Sequence, residues 1–258
     1  MNKNEPRKGA SRAADIPADV LQALSNGELQ SATLTEILAL DQTQLLRTVF
    51  PSLSSAAQTA AETASQFGIL KRMTGIGAIL LDELGAAGID TCSAHHSDTV
   101  RGWACFMIGS QSGLDLSARL AAIQPLADDA HFGVREWAWL GVRPYLIKEL
   151  DTAISLLAAW TTSPSERLRR FASEALRPRG VWCAHIRTLK QDPELALPIL
   201  SPLRADPSKY VQDSVANWLN DAAKDQPAWV RKLCAQWLQG EPPPATYRIC
   251  QRALRNLK

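Results

Sequence analysis

The sequence predicts an all-α chain, an α-solenoid of stacked helical pairs with a concave, positively charged groove. Three observations predict it. Apolar residues recur at helical intervals almost throughout, strict alternation is hard to find beyond four residues, and five segments align without gaps. Val20, Leu21 and Leu24 form a short amphipathic face closed at Gly27. TLTEILALDQTQLLRTVF repeats the pattern with Leu34, Ile37, Leu38, Leu45 and Leu46. Ser163-Pro164, Asp192-Pro193 and Asp206-Pro207 each place an N-cap residue before a proline suited to the first helical turn. Glu166, three residues after Ser163, completes a capping box, and Gly75 and Gly240 read as helix stops.

The aligned segments are DTVRGWACFMIG, FGVREWAWLGVRP, ERLRRFASEALRP, YVQDSVANWLND and ATYRICQRALRN. They put Val100, Val134, Leu168, Val211 and Thr246 in one column, at steps of 34, 34, 43 and 35 residues. A unit of that size holds two helices and cannot bury its own apolar stripe, so neighbours must stack. Residues 1–14 are polar and read as a mobile tail. Residues 15–258 read as a single repeat domain.

Composition narrows the function classes. With 28 basic and 26 acidic residues in 258, the net charge of +2 identifies no polyanionic partner, so local pattern must carry that argument. Five scattered cysteines without C-x-x-C spacing speak against a disulfide framework or zinc cluster and fit a reducing compartment. The N-terminus leads into no apolar signal segment, and no apolar run reaches the roughly 18 residues of a membrane span. The expectation is a cytoplasmic monomer. His95-His96 lacks further metal ligands, and phosphate-loop, dinucleotide and common hydrolase motifs do not occur, so neither metal nor cofactor is expected.

Charge is uneven along the repeats. Between His131 and Lys190 there are ten basic residues and five acids, and most of the basic ones are arginines, suited to forked phosphate contacts. Arg101, Arg135 and Arg169 open repeats and either bridge neighbouring units or face a ligand; Arg143 and Arg170 lie in the same basic stretch. Arg177 and Arg179 bracket Pro178, where the helix must end, and are candidates for phosphate contact. Among the eight tryptophans, Trp182 follows a Pro-Arg-Gly turn and is either a ligand-facing ring or a loop anchor. Trp137, Trp139 and Trp218 are candidates for an aromatic near the bound base. Glu174 falls in a column with Leu140 and Asn217, so it either faces a polar groove or is paired with Arg170 or Arg177. Asn217, Asn220 and Asp221 share one helix face, continued by Lys224 and Asp225, and Asp221 is either a ligand-facing carboxylate or makes a capping or inter-repeat hydrogen bond.

IPADVLQALSNGELQSATLTEILALD, SDTVRGWACFMIG, RRFASEALRPRGVW and SVANWLNDAAKD together resemble the HEAT-like-repeat DNA alkylation repair glycosylases of the AlkC/AlkD type, nearer AlkC. The resemblance runs from about Ile16 to Asn256. It implies a bacterial enzyme that excises cationic N3- or N7-alkylated bases, of the 3-methyladenine kind, from double-stranded DNA in base excision repair. It also implies catalytic roles for Glu174, Asp221 and Trp182, and DNA-backbone contacts by Arg177 and Arg179, without metal or cofactor. Two departures from the family pattern, Gln212-Asp213 and Gly180-Val181, imply weaker DNA affinity and a looser Trp182. The alternative is a non-catalytic helical-repeat scaffold binding DNA or a protein.

Overall fold

A computed structural model describes residues 7–257. Among them the chain is all-α, without strands. The helices are α1 (Ala18–Ser25), α2 (Leu34–Ala39), α3 (Gln42–Val49), α4 (Ser55–Ser65), α5 (Ile69–Leu84), α6 (Ala87–Ser93), α7 (Asp98–Ser110) and α8 (Leu116–Ala127). They continue with α9 (Phe132–Lys148), α10 (Leu150–Trp160), α11 (Glu166–Glu174), α12 (Arg187–Gln191), α13 (Leu197–Leu203), α14 (Lys209–Ala222), α15 (Pro227–Trp237) and α16 (Pro244–Ala253). Two compact units are formed, Met1–Gly113 with Ala130–Gly141, and Leu114–Asp129 with Val142–Lys258. No helix among the described residues is long and apolar enough to cross a membrane.

The repeat column is the core of this architecture. Val100, Val134, Leu168, Val211 and Thr246 are all buried, on α7, α9, α11, α14 and α16 in turn. Burial of a side chain of that size contributes about 1.5–3 kcal/mol. In the first unit α7 packs on α5, and Gly109 and Gly141 let two backbones touch: a Cβ on Gly109 would lie 2.5 Å from the Gly141 carbonyl oxygen. In the second unit α11 packs on α14 and α14 on α16.

The repeat arginines bond within the chain, and Arg101 and Arg169 bridge to neighbouring segments. Arg101 donates to the carbonyls of His95 and His96 and to Gln30. Arg135 donates to the Ala130 carbonyl. Arg169 donates to the Ser163 and Pro164 carbonyls and forks onto Asp206 at 2.6 and 3.1 Å. Each guanidinium clips the loop before its own helix, and two of them also reach a neighbouring segment.

Several helix boundaries differ from the sequence expectation. The caps of α11 and α14 lie two residues beyond Ser163 and Asp206, because a residue before proline is driven to extended backbone and the following serine takes over as cap. Ser165 Oγ accepts from the Arg167 N–H, and Ser208 Oγ from the Tyr210 N–H. Glu166 therefore closes no capping box with Ser163; its carboxylate accepts from the Ser208 hydroxyl instead. TLTEILALDQTQLLRTVF is two helices, because Asp41 caps a fresh start at Gln42. Gly75 lies inside α5, where its missing side chain admits Ala64, and the stop falls at Gly85 with φ 63°.

The N-terminal segment read as a tail lies partly outside the described residues. Within the described part, Arg7 forks onto Glu36 with both bonds at 2.6 Å, and Ala10 N–H donates to the same carboxylate. The Glu36 carboxyl is pulled down to about 2, chiefly by Arg7, with burial opposing and the N–H groups of Ala32 and Ala10 assisting. His95 caps its own loop by accepting from the Ser97 N–H at 3.0 Å. No cluster of potential metal ligands occurs among the described residues, and all five cysteines are free thiols.

Candidate functional site

The site is built at the end of α11. Leu168, Phe171, Ala172, Ala175 and Leu176 give this segment its buried stripe, and Pro178 forbids continuation. A helix end leaves four carbonyls without intrahelical partners, and here side chains supply them. Arg143, from α9, donates to the carbonyls of Ala175, Arg177 (2.7 Å) and Ala184 (3.2 Å). Trp218, from α14, donates its indole N–H to the Leu176 carbonyl at 3.0 Å. The Ile186 N–H closes the following loop on the Pro178 carbonyl at 3.0 Å.

That anchored helix end presents Glu174 to α14. Arg177 Nη1 donates to Glu174 Oε1 at 2.8 Å, while Nη2 and Nε donate to Asp221 Oδ2 at 2.7 and 3.0 Å. One guanidinium thus holds two carboxylates from different helices. Ser214 Oγ donates to Glu174 Oε2 at 2.7 Å, and Arg170 stands 3.6 Å from the same oxygen. Lys224 Nζ donates to Asp221 Oδ1 at 3.1 Å with about half its side chain in solvent. Burial alone would push the Glu174 carboxyl up. Arg170, Arg177 and the hydroxyl of Ser214 outweigh it, so the group sits below the usual carboxylate range and is ionised at neutral pH. Burial likewise opposes the Arg177 charge, and Glu174 with Asp221 reverses that, holding its pKa above the ordinary value.

Trp182 stands in the loop between α11 and α12. It is the one non-glycine residue with positive φ (62°) among those described, and its ring is 45% exposed beside the 60% exposed Val181. Such backbone costs about 1–2 kcal/mol and is retained where surroundings enforce it. The enforcement is visible. Gly180 has no room for a side chain, since a Cβ there would meet Cys183 Sγ at 2.4 Å and the Arg143 guanidinium at 3.3 Å.

The structure thus brings Glu174, Asp221, Arg177, Arg170 and Lys224 into one ion-paired cluster, with Arg143 fixing the backbone beneath it. The other candidates have partners within the chain. Arg143 is buried and holds backbone carbonyls. Arg177 has all three guanidinium nitrogens on carboxylates, and Arg179 forks onto Asp225 with both bonds at 2.9 Å. Asn220 is buried, donating to the Ala253 carbonyl, and Asn217 accepts from Arg255. Trp137, Trp139 and Trp218 are buried packing residues: Trp137 lies against Phe106, Trp139 donates to Glu136, and Trp218 caps α11. Arg170 stacks 4.7 Å over the Tyr210 ring. Asp213, one of the family departures, pairs with Arg248 and Arg252 of α16.

Ser214 is a site residue that motif reading misses. Its signal is a polar side chain in the column filled by Trp103, Trp137, Phe171 and Ile249, all of them buried. Asp225, the partner of Arg179, lies 46 residues away along the chain, so the polar pattern that includes it does not reveal the pairing.

The segment that holds this cluster is recognisable in other proteins. Residues 133–246 match the DNA alkylation repair enzyme family. All of the ion-paired residues of the site fall within this matched segment. Over 136 residues the chain is 41% identical to the uncharacterized protein YhaZ of Bacillus subtilis, a stretch covering 53% of this chain and 37% of that protein. The fold is similar to that of the Pseudomonas fluorescens alkylpurine DNA glycosylase AlkC, solved bound to DNA containing an abasic site analog. The TM-score is 0.69 at 24% identity, over 96% of this chain and 65% of that one. It is also similar to AlkD2 from Streptococcus mutans, with TM-score 0.57 at 19% identity over 83% and 97% of the two chains. The chain therefore spans less than two thirds of the length of YhaZ and of the AlkC structure. The resemblance to the AlkC/AlkD type holds both in the family match and in the fold.

Proposed function

We propose that this chain is a DNA glycosylase that excises cationic N3- or N7-alkylated bases, of the 3-methyladenine kind, from double-stranded DNA. The observation that carries the reading is the convergence of Glu174 and Asp221, from two helices, on one guanidinium in a segment that matches the DNA alkylation repair family and also carries the exposed indole of Trp182.

The chemistry suits these groups. An alkylated purine carries a positive charge, so its glycosidic bond breaks without a general acid and leaves an oxocarbenium-like sugar. Fixed carboxylates stabilise that charge in a water-poor site, and an indole face adds cation–π attraction. Glu174, bonded at both oxygens and buried, acts as a fixed negative charge. Asp221 Oδ1 is bonded to half-exposed Lys224, and once Lys224 turns toward a DNA phosphate this oxygen takes the proton of the water that attacks C1′. The products are the free base and an abasic site.

Duplex DNA treated with a simple methylating agent tests the proposal by chromatography of released 3-methyladenine. Release is expected, with loss of at least a hundredfold in the Glu174→Gln, Asp221→Asn double variant. Release no greater than that variant's overturns it. The engagement of both carboxylates by Arg177 favours a second reading, a non-catalytic scaffold for DNA or a protein; duplex binding without base release would establish that instead.

A further inference from the structure

We infer that Arg177 is the positioning residue of this site: one guanidinium holds Glu174 and Asp221 side by side, and it does not grip DNA. The inference rests on the proposed reaction for its kinetic consequence and on geometry alone for its electrostatic one. Nη1 faces Glu174 while Nη2 and Nε face a single oxygen of Asp221, so each of the three nitrogens is already directed at a carboxylate. The backbone of Arg177 is fixed as well, because Arg143 holds its carbonyl at 2.7 Å. A lysine could not span both carboxylates with directed bonds, whereas the planar fork does so from one position.

Two carboxylates this close resist joint ionisation unless a cation sits between them. The groups that bear on the pair are Arg170 from α11, Arg143 from α9, Arg179 and Cys183 from the loop, Ser214 from α14 and Lys224 just beyond it; Arg179 acts on Asp221 only, from its own pairing with Asp225. Arg143 is directed at backbone carbonyls, Cys183 is a thiol whose pKa burial raises, and Lys224 reaches only Asp221. Arg170 stands 3.6 Å from Glu174 and stacks on Tyr210, so it helps one carboxylate and not the other. Arg177 alone is bonded to both.

The test compares wild type with Arg177→Lys, Arg177→Gln and the Arg177→Gln, Glu174→Gln double variant, in which a neutral pair replaces the charged one. Carbon-detected carboxyl NMR of the full chain follows Glu174 without requiring any reaction. Its midpoint should rise by at least one pH unit in Arg177→Gln and by less in Arg177→Lys. In parallel, single-turnover base release at saturating methylated duplex should fall tenfold or more in Arg177→Gln, with its acid limb moved to higher pH. The double variant should bring that limb back down. Duplex affinity and its dependence on salt should stay as in wild type, since no phosphate contact is lost. A residue that grips a phosphate behaves otherwise: its removal lowers the slope of log affinity against log salt by about one and weakens binding with the saturated rate intact. That pattern, or a Glu174 midpoint unchanged in both single variants, would overturn the inference. If Arg177→Gln does not fold, Arg177→Lys carries the same comparison. Absence of base release in wild type overturns the proposed reaction, and the carboxyl titration still decides the role of Arg177.

Discussion

The indole N–H of Trp218 donates to the carbonyl oxygen of Leu176 at 3.0 Å, so a buried residue of α14 completes the C-terminal end of α11. The bond couples the helix that carries Asp221 to the helix that carries Glu174. Trp218→Phe keeps most of the ring volume and leaves the Leu176 carbonyl without this donor. Loss of one buried partner costs about 1–3 kcal/mol. The urea midpoint should fall with the slope unchanged, and an unchanged midpoint would show that the carbonyl finds another donor.

Trp182 offers the opposite dissociation. Its ring is 45% exposed and its backbone is in the left-handed region, so removing the side chain should not unfold anything. Trp182→Gly should keep or raise the melting temperature, since glycine relieves about 1 kcal/mol of strain. Release of 3-methyladenine should nevertheless drop at least tenfold, with Trp182→Phe intermediate. Equal losses of stability and activity would make the ring a loop anchor.

Gly180 and Cys183 form a steric pair. A Cβ at 180 would lie 2.4 Å from the thiol sulfur, closer than any real contact. Gly180→Ala should cost about 1–3 kcal/mol by overpacking. Adding Cys183→Ala should recover most of that loss, because the sulfur is the atom in the way. A double-mutant cycle by urea unfolding measures the coupling, and strictly additive effects would show that the backbone yields instead.

Glu36 makes part of the stability depend on acid. The folded protein holds this carboxyl at about 2, whereas in the unfolded chain it titrates near 4.3. Folding therefore favours its ionised form: the contribution is complete above about pH 4.5 and is lost as pH falls toward 2. Its size is about 2 kcal/mol once solvent around the part-exposed Arg7 is allowed for. Glu36→Gln should be less stable than wild type at pH 7, and the gap should close between pH 4.5 and 2. A gap that persists at the acid end would mean that packing, not charge, is what the substitution removes.

Much of the fold could be read before any coordinates. The column from Val100 to Thr246 is buried throughout, because helical periodicity and a shared repeat constrain the same positions twice. Single punctuation marks were weaker guides. Gly75 reads as a stop but serves close packing against Ala64, and only the neighbouring helix reveals which. Candidate site residues divide the same way. Glu174, Asp221 and Trp182 stand out as a carboxylate in an apolar column, a polar face and a tryptophan beyond a helix end. The pairings of the arginines do not, since Arg177 meets Asp221 from 44 residues away and Arg179 meets Asp225 from 46. Residue type tells that a guanidinium seeks an anion and says nothing of whether the anion belongs to the same molecule.

The loop-clipping arginines bear on how the chain would hold a polyanion. Arg143 and Arg169 are joined to carbonyls or Asp206, and Arg177 and Arg179 to carboxylates, all within the stretch that looked most basic. Cations already paired or buried within the chain displace few counterions when a nucleic acid docks. Attachment to undamaged duplex should accordingly fade only gently as potassium chloride is raised, leaving discrimination to shape and to the charge of the lesion itself.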